Sequence, residues 1–184
     1  MSVAVRGLIN DNRPRVGRRR AIALLASLDP PIHLDIPSPE LIAKRKAWFR
    51  SLLALFLPSV DHLAQLPVKS AFIFGIDPDA AHAEAENAAI LNTDSARTVL
   101  SEFAARVRTH TATVTPEDFK KWINDIKAAT GIKGKELFHP IRIALTGSHS
   151  GPEFDKVIPL IEEGAELGLP IPTVHDRIEQ FVGV

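Results

Sequence analysis

Proline and glycine residues punctuate this 184-residue chain at intervals that suit helices. The string SPE at 38–40 supplies a capping residue, a proline at the first helical position and an acid in the first turn. The string TPED at 115–118 repeats the pattern, and Gly131 follows at the distance where a left-handed glycine ends a helix. Starts and stops this frequent leave helix-length segments between them, which predicts an all-α fold.

The same signals predict where individual helices lie. Segments 80–91 and 94–107 are also rich in helix-forming residues or show helical spacing of apolar residues. Only VKSAFIFGI at 68–76 resembles a strand, and we interpret it as the end of a helix followed by a turn. The remaining predicted helices span 39–57, 116–130, 140–146, 152–163 and 174–182, with Pro140 as one start and Gly147 and Gly164 as two of the stops.

Two stretches predict the domain organisation. The string DPPIHLDIPSP at 29–39 has four prolines and is typical of an extended connection, while THTATVT at 109–115 is polar and β-branched. We therefore predict a basic N-terminal segment and proline-rich joint over 1–38, to which no function is assigned. A first helical subdomain follows over 39–110, and a C-terminal helical subdomain over 111–184 carries the string KGKELFHPIRIALTG at 133–147.

The charges are balanced in number and unevenly distributed. Lysine and arginine total 22, as do aspartate and glutamate. Basic residues outnumber acidic ones by nine to three over 13–50 and by six to two over 120–142, whereas from 153 onward acids outnumber bases by seven to two. This distribution fits two arrangements: a basic face for a phosphate backbone, or basic helices that pair with acidic ones within the fold.

Several motif-like strings fail the tests of their chemistry. GIKGK at 131–135 has neither the glycine spacing nor the hydroxyl residue of a phosphate loop, and GSHSG at 147–151 has a histidine where a nucleophile elbow has serine. His82 and Glu86 stand four residues apart, which would put them on one helical face, but two ligands make at best a weak metal site. We therefore expect no catalytic residue, no cofactor and no metal.

Two further expectations concern burial and location. Trp48, Phe49, Leu52, Leu53 and Phe56 follow helical spacing, and we interpret them as core residues instead of a stacking platform for bases. The chain has no cysteine, no signal-peptide-like start and no apolar run of about 20 residues, so we expect a cytoplasmic protein outside the membrane.

The string TGIKGKELFHPIRIALTGSHSGPEF at 130–154 resembles the C-terminal anticodon-binding region of bacterial glutamyl-tRNA synthetases. That family shows a pattern close to TG-x-KGK-x-LF-x-P-x-R-x-ALTG-x-x-x-GPE, and the similarity extends more loosely from about residue 40 to the end. The resemblance implies an all-α cage that binds tRNA, with tRNA-Glu as the candidate partner. No HIGH-like or KMSKS-like motif of the synthetase catalytic domain is present, so this chain alone should not activate glutamate.

Within the matching string, apolar and basic residues suggest different roles. Leu137, Ile141, Ala144 and Leu145 share one helical face and should be buried. Two other functions stay open: the non-catalytic half of a split glutamate–tRNA ligase that acts with a separate catalytic chain, and a protein-interaction domain that has lost RNA binding. The candidate RNA-binding residues are Lys46, Arg50, Lys133, Lys135 and Arg142.

Overall fold

A computed structural model describes residues 37–183, and within that range the chain forms nine α-helices and no strand. The predicted all-α fold is confirmed, and 68–76 is helix and turn, not strand. Short 3-10 turns at Leu57–Ser59 and Leu63–Gln65 join the first two helices. The helices are α1 Pro39–Phe56, α2 Leu66–Phe74, α3 Pro78–Ala83, α4 Ala85–Leu91, α5 Asp94–Thr109, α6 Pro116–Thr130, α7 Lys135–Thr146, α8 Phe154–Glu166 and α9 Val174–Val182.

Local signals fix most helix ends as predicted. Helix α6 begins with a capping box in which Thr115 and Asp118 each accept the other's backbone N–H, and α9 begins with the same arrangement. Gly131 and Gly147 end α6 and α7 with φ of 74° and 76°, in the left-handed region that disfavours residues with a Cβ.

Helix α7 begins five residues before the predicted start at Pro140, which lies inside the helix. Gly134 has a left-handed φ of 62°, so the turn before the helix ends at this residue instead of at Pro140. A proline near the start of a helix removes one backbone hydrogen bond, here the one to the carbonyl of Glu136. Its ring is buried, so the loss of that bond accompanies burial of an apolar ring.

Two further boundary predictions were wrong. Helix α8 passes through Gly164 and ends at Glu166. A Cβ on Gly164 would lie 2.5 Å from Cδ1 of Ile171 and 3.0 Å from Cζ2 of Trp48, so this glycine permits close packing against α1. The predicted helix 80–91 is two helices, because Glu84 is extended and its carboxylate caps α4 through the N–H of Asn87 at 2.7 Å. His82 and Glu86 therefore lie on different helices.

Helix α7 is the central helix of the unit, which runs from Pro39 to the C-terminus. It packs against α3, α4, α5 and α9, while α1 packs on α2 and α8. The predicted burial of Leu137, Ile141, Ala144 and Leu145 is confirmed. On α1 the prediction is partly wrong: Trp48, Leu52 and Phe56 are buried, but Phe49 and Leu53 keep about 43% and 40% of their surface exposed.

Arg177 on α9 joins three parts of the core. It is fully buried, and its guanidinium donates four hydrogen bonds of 2.6 to 2.9 Å to backbone carbonyls. Burial lowers the pKa of this guanidinium to about 10, which still leaves it charged at neutral pH, while Glu162 and Asp176 oppose the shift. The accepting carbonyls belong to the last turn of α2, the last turn of α7 and the loop before α9: Phe72, Ile73, Leu145 and Pro172.

Glu162 on α8 holds two segments in place, the 110–115 loop and the start of α9. Its carboxylate is buried and accepts the N–H of Val174 at 2.8 Å and that of Val114 at 3.4 Å. Burial raises the pKa of Glu162, against the effect of these two hydrogen bonds. The 110–115 loop is thus tied to α8, while the division into subdomains at this loop stays a prediction.

Within residues 37–183, no single helix is long and apolar enough to cross a membrane. The bent pair Pro39–Ser59 and Leu63–Phe74 meets that test by length and composition only. The predicted basic segment and most of the proline-rich joint, residues 1–36, lie outside the described residues.

Candidate nucleic-acid interface

A groove of about 890 Å³ runs between the end of α1, α2, α3 and the 147–153 loop. Its floor includes the apolar side chains of Phe56, Phe72 and Ile76. The charged residues along it are two lysines and three acids, so the rim offers no net attraction to a phosphate backbone. The charged residues of the groove are Lys69, Lys156, Asp77, Glu84 and Glu153. The outward face of α7 differs from the groove in charge.

The outward face of α7 carries four residues that we name the α7 row: Lys135, Phe138, His139 and Arg142. Their spacing of three and four residues places them on one side of the helix. Phe138 keeps 38% of its surface exposed, Lys135 is exposed, and the other two are partly buried. None of these four residues is acidic, and together they combine an aromatic ring with positive charge.

Arg142 supports the row by holding the loop beside it. One of its terminal nitrogens donates to the carbonyl of Pro152, and its guanidinium lies 4.3 Å from the ring centroid of Phe154. Burial lowers the pKa of Arg142, and the nearby carboxylate of Glu153 works against that shift. The ring of Phe154 also stacks on Phe138, with 6.5 Å between centroids. Arg142 is therefore part of the scaffold of the row as well as a candidate contact.

The pKa of His139 is lowered, first by burial and then by the positive groups around it. Burial is the largest cause, followed by His149, Lys135 and Arg142. The rings of His139 and His149 have centroids 5.6 Å apart, and Nε2 of His149 lies 3.4 Å from a carboxylate oxygen of Glu86. Protonation of His139 would add positive charge to the row, and the existing charges oppose that protonation.

The other sequence-predicted residues lie at two separate places. Lys46 and Arg50 are one turn apart on the exposed side of α1, beside the exposed Phe49 and Leu53. By contrast, Arg45 donates to the carbonyl of Leu167 at 2.8 and 2.9 Å and so caps α8. Lys133 is exposed in the turn that precedes α7. The structure thus joins Lys135 and Arg142 in one row, with Lys133 just before it, while Lys46 and Arg50 belong to a different helix.

Sequence reasoning missed Phe138 and His139 as members of the row. The signal was present, because both stand three or four residues from Lys135 and Arg142. The wrong start at Pro140 concealed it by cutting the first turn from the helix. Arg177 carried no such signal, since its partners lie up to 105 residues away along the chain.

Comparisons with known proteins agree on one family. Residues 23–165 match the family model described as anticodon binding domain. The chain is 33% identical over 130 residues to a glutamate–tRNA ligase of Natranaerobius thermophilus, covering 71% of this chain and 26% of the ligase. It is 34% identical over 142 residues to the glutamate–tRNA ligase of Bacillus subtilis, covering 73% of this chain and 29% of that ligase. It is 32% identical over 164 residues to the glutamate–tRNA ligase of Bacillus cytotoxicus, covering 85% of this chain and 31% of that ligase.

Each match covers most of this chain but only a minor part of the relative. The chain spans about a third or less of the length of the curated relatives it matches, and the matched part is their C-terminal anticodon-binding region. No solved structure matches the chain.

Proposed function

The chain belongs to the anticodon-binding domain family, and on that basis we propose that it is a tRNA-binding module that contacts tRNA through the α7 row. Its relatives are glutamate–tRNA ligases, so we propose tRNA-Glu as the partner and the aminoacylation of that tRNA as the process it serves. On the same basis we propose that the protein acts in the cytoplasm.

The observation that carries the proposal is the composition of the α7 row. RNA with unpaired bases is recognised by aromatic side chains that stack on the bases and by cations that contact the phosphates. Phe138 offers a partly exposed ring, and Lys135 and Arg142 offer positive charge on either side of it. The row is on the central helix, whose apolar side is fixed in the core, so the contacting groups have a rigid base.

Lys46, Arg50 and Lys133 are proposed as further phosphate contacts. Each is exposed and forms no ion pair or hydrogen bond within residues 37–183. Contacts of this type add affinity for any tRNA and do not distinguish one anticodon from another.

A second function is favoured by one specific observation on α1. Phe49, Leu53 and Leu57 recur every four residues and remain about 40% exposed, so they form an apolar strip along the outside of α1 and the turn that follows it. Such a strip fits a protein partner, and the relatives are several times longer than their matched part. The alternative is therefore a non-catalytic half of a split glutamate–tRNA ligase, with a separate catalytic chain as partner.

The test is a titration of labelled tRNA-Glu with the purified protein at several salt concentrations. We expect Phe138→Ala to weaken binding by about 5- to 150-fold, the range for loss of one base–aromatic stack. We expect Lys135→Gln to reduce the slope of log affinity against log salt by about 0.7 to 0.9, equally for tRNA-Glu and for a tRNA with another anticodon.

Lys44→Gln is the matched control for the lysine change. Lys44 is paired with Glu40 at 3.0 Å on an exposed part of α1, so its loss should leave the salt slope unchanged. Circular dichroism shows whether each variant keeps its helices. If the unsubstituted protein binds no tRNA at low salt, the proposal is wrong and the interaction-domain function takes its place.

A further inference from the structure

The basic residues of the described chain divide by whether a partner in the fold holds them. Residues 37–183 contain sixteen lysines and arginines. Five form ion pairs with acids, and the guanidinium groups of Arg45, Arg142 and Arg177 donate to backbone carbonyls. The eight that have neither kind of partner in this range are Lys46, Arg50, Lys69, Lys120, Lys121, Lys127, Lys133 and Lys135.

Five of these eight lie within sixteen residues, on α6, in the turn that follows it and at the first residue of α7. Lys121 is three residues from Asp118 and helps to lower the pKa of that carboxyl, so its charge is partly balanced. Lys127 has no acid three or four residues away on α6, and Glu117, three residues before Lys120, forms no ion pair with it. The excess of basic residues in this segment is therefore not neutralised by ion pairs within residues 37–183.

Lys120 and Lys127 share one side of α6. With Asn124 between them they follow a spacing of four and three residues, and all three are exposed. They are about 10 Å apart along the helix axis. The buried side of α6 is formed by Phe119, Trp122, Ile123 and Ile126.

No acid on α6 forms an ion pair with Lys120 or Lys127. Asp118 is engaged in the capping box with Thr115, and Asp125 lies on a different side of the helix from Lys127. Glu117 lies three residues before Lys120 and forms no ion pair with it. Two unpaired cations with an amide donor between them are suited to neighbouring phosphates of one strand.

We infer that Lys120 and Lys127 form a second phosphate-binding site, here named the α6 stripe, on the helix that precedes Lys133 and Lys135 in the chain. This inference rests on the proposed function and extends it to a helix outside the α7 row. The α6 stripe contacts the sugar–phosphate backbone without reading bases, so it adds affinity for every tRNA and no preference among anticodons.

The test compares two double variants that change net charge equally. Lys120→Gln with Lys127→Gln removes the stripe, while Lys44→Gln with Lys156→Gln removes two lysines that are paired with Glu40 and Glu153. Glutamine keeps good helix propensity, so both proteins should fold. Affinity for tRNA-Glu is measured from 0.05 to about 0.5 M salt, and circular dichroism records the helices.

We expect the stripe variant to lose about 1.4 to 1.8 from the salt slope, since each phosphate contact contributes about 0.7 to 0.9. If the parent and the stripe variant bind equally at about 1 M salt, this difference in slope makes the variant bind roughly 25- to 60-fold more weakly than the parent at about 0.1 M. The paired-lysine variant should bind within about threefold of the parent. Independently of any substitution, bound tRNA should protect Lys120 and Lys127 from acetylation in the unsubstituted protein.

The outcomes separate this inference from the function on which it rests. If the parent binds tRNA and the stripe variant has the same salt slope with no protection of either lysine, the inference is overturned and the tRNA-binding function stands. If the parent binds no tRNA at low salt, both are overturned.

Discussion

Replacement of Arg177 by methionine should destabilise this protein more than any loss of a surface charge. The guanidinium is fully buried and is hydrogen-bonded to four carbonyls that belong to α2, α7 and the loop before α9. Methionine is unbranched, shorter than arginine and has no donor, so it fills the space of the aliphatic stem and satisfies none of those oxygens. The change therefore isolates the polar contribution of Arg177 from its packing.

The magnitude follows from what the carbonyls retain. All four carbonyls lose the guanidinium, but the oxygen of Phe72 keeps the N–H of Gly75 at 3.3 Å, so three are left without that kind of second donor. An unsatisfied buried polar group costs about 1–3 kcal/mol, so three carbonyls left without a donor cost at least about 3 kcal/mol. Because methionine recovers some packing, we expect a loss of about 3–5 kcal/mol. For a domain of this size that corresponds to a melting temperature lower by about 6–20 °C.

Urea unfolding followed by tryptophan fluorescence measures this loss. Trp48 and Trp122, the two tryptophans of the chain, are both buried and report on different parts of the core. Arg97→Met is the matched control, because Arg97 pairs with Asp94 on an exposed surface and should change stability by less than about 1 kcal/mol. If Arg177→Met unfolds within about 1 kcal/mol of the parent, Arg177 does not hold the three elements together as argued.

Two glycine substitutions test the backbone and the helix packing. Gly147→Val should reduce the free energy of unfolding by roughly 1 kcal/mol or more, because φ is 76° there and a β-branched residue is strained; an unchanged melting temperature would contradict the helix end at Gly147. Gly164→Ala should destabilise by about 1–2 kcal/mol despite the better helix propensity of alanine, because the new Cβ meets Trp48 and Ile171. Increased stability of that variant in urea would show that α1 and α8 can separate at little cost.

The order of helices along the chain was largely predictable. Capping boxes, a proline at the first helical position and a left-handed glycine at the last act through atoms within four residues of one another. Those contacts exist in any fold that contains the helix, so the starts at Pro39, Pro116 and Val174 and the stops at Gly131 and Gly147 were read correctly. The apolar spacing of α7 predicted its buried face for the same reason.

Errors arose where a local signal competed with packing. Pro140 has the features of a helix start, but its ring is buried inside α7, and Gly134 sets the start five residues earlier. Gly164 has the features of a stop, but it is the point where α8 meets Trp48. The α7 row depended on the correct start, and for this reason Phe138 and His139 were absent from the predicted site.

The sequence by itself determined that this chain is helical, where most of its helices end, and that its string at 130–154 resembles the anticodon-binding region of glutamate–tRNA ligases. Only the tertiary structure decided which basic residues are held inside the fold and which have no ion-pair or hydrogen-bond partner within residues 37–183. Arg177 and Lys127 have the same formal charge, but the first meets carbonyls about 105 residues away and the second meets none. Burial and pairing depend on how distant segments pack, and no spacing within a single helix encodes that arrangement.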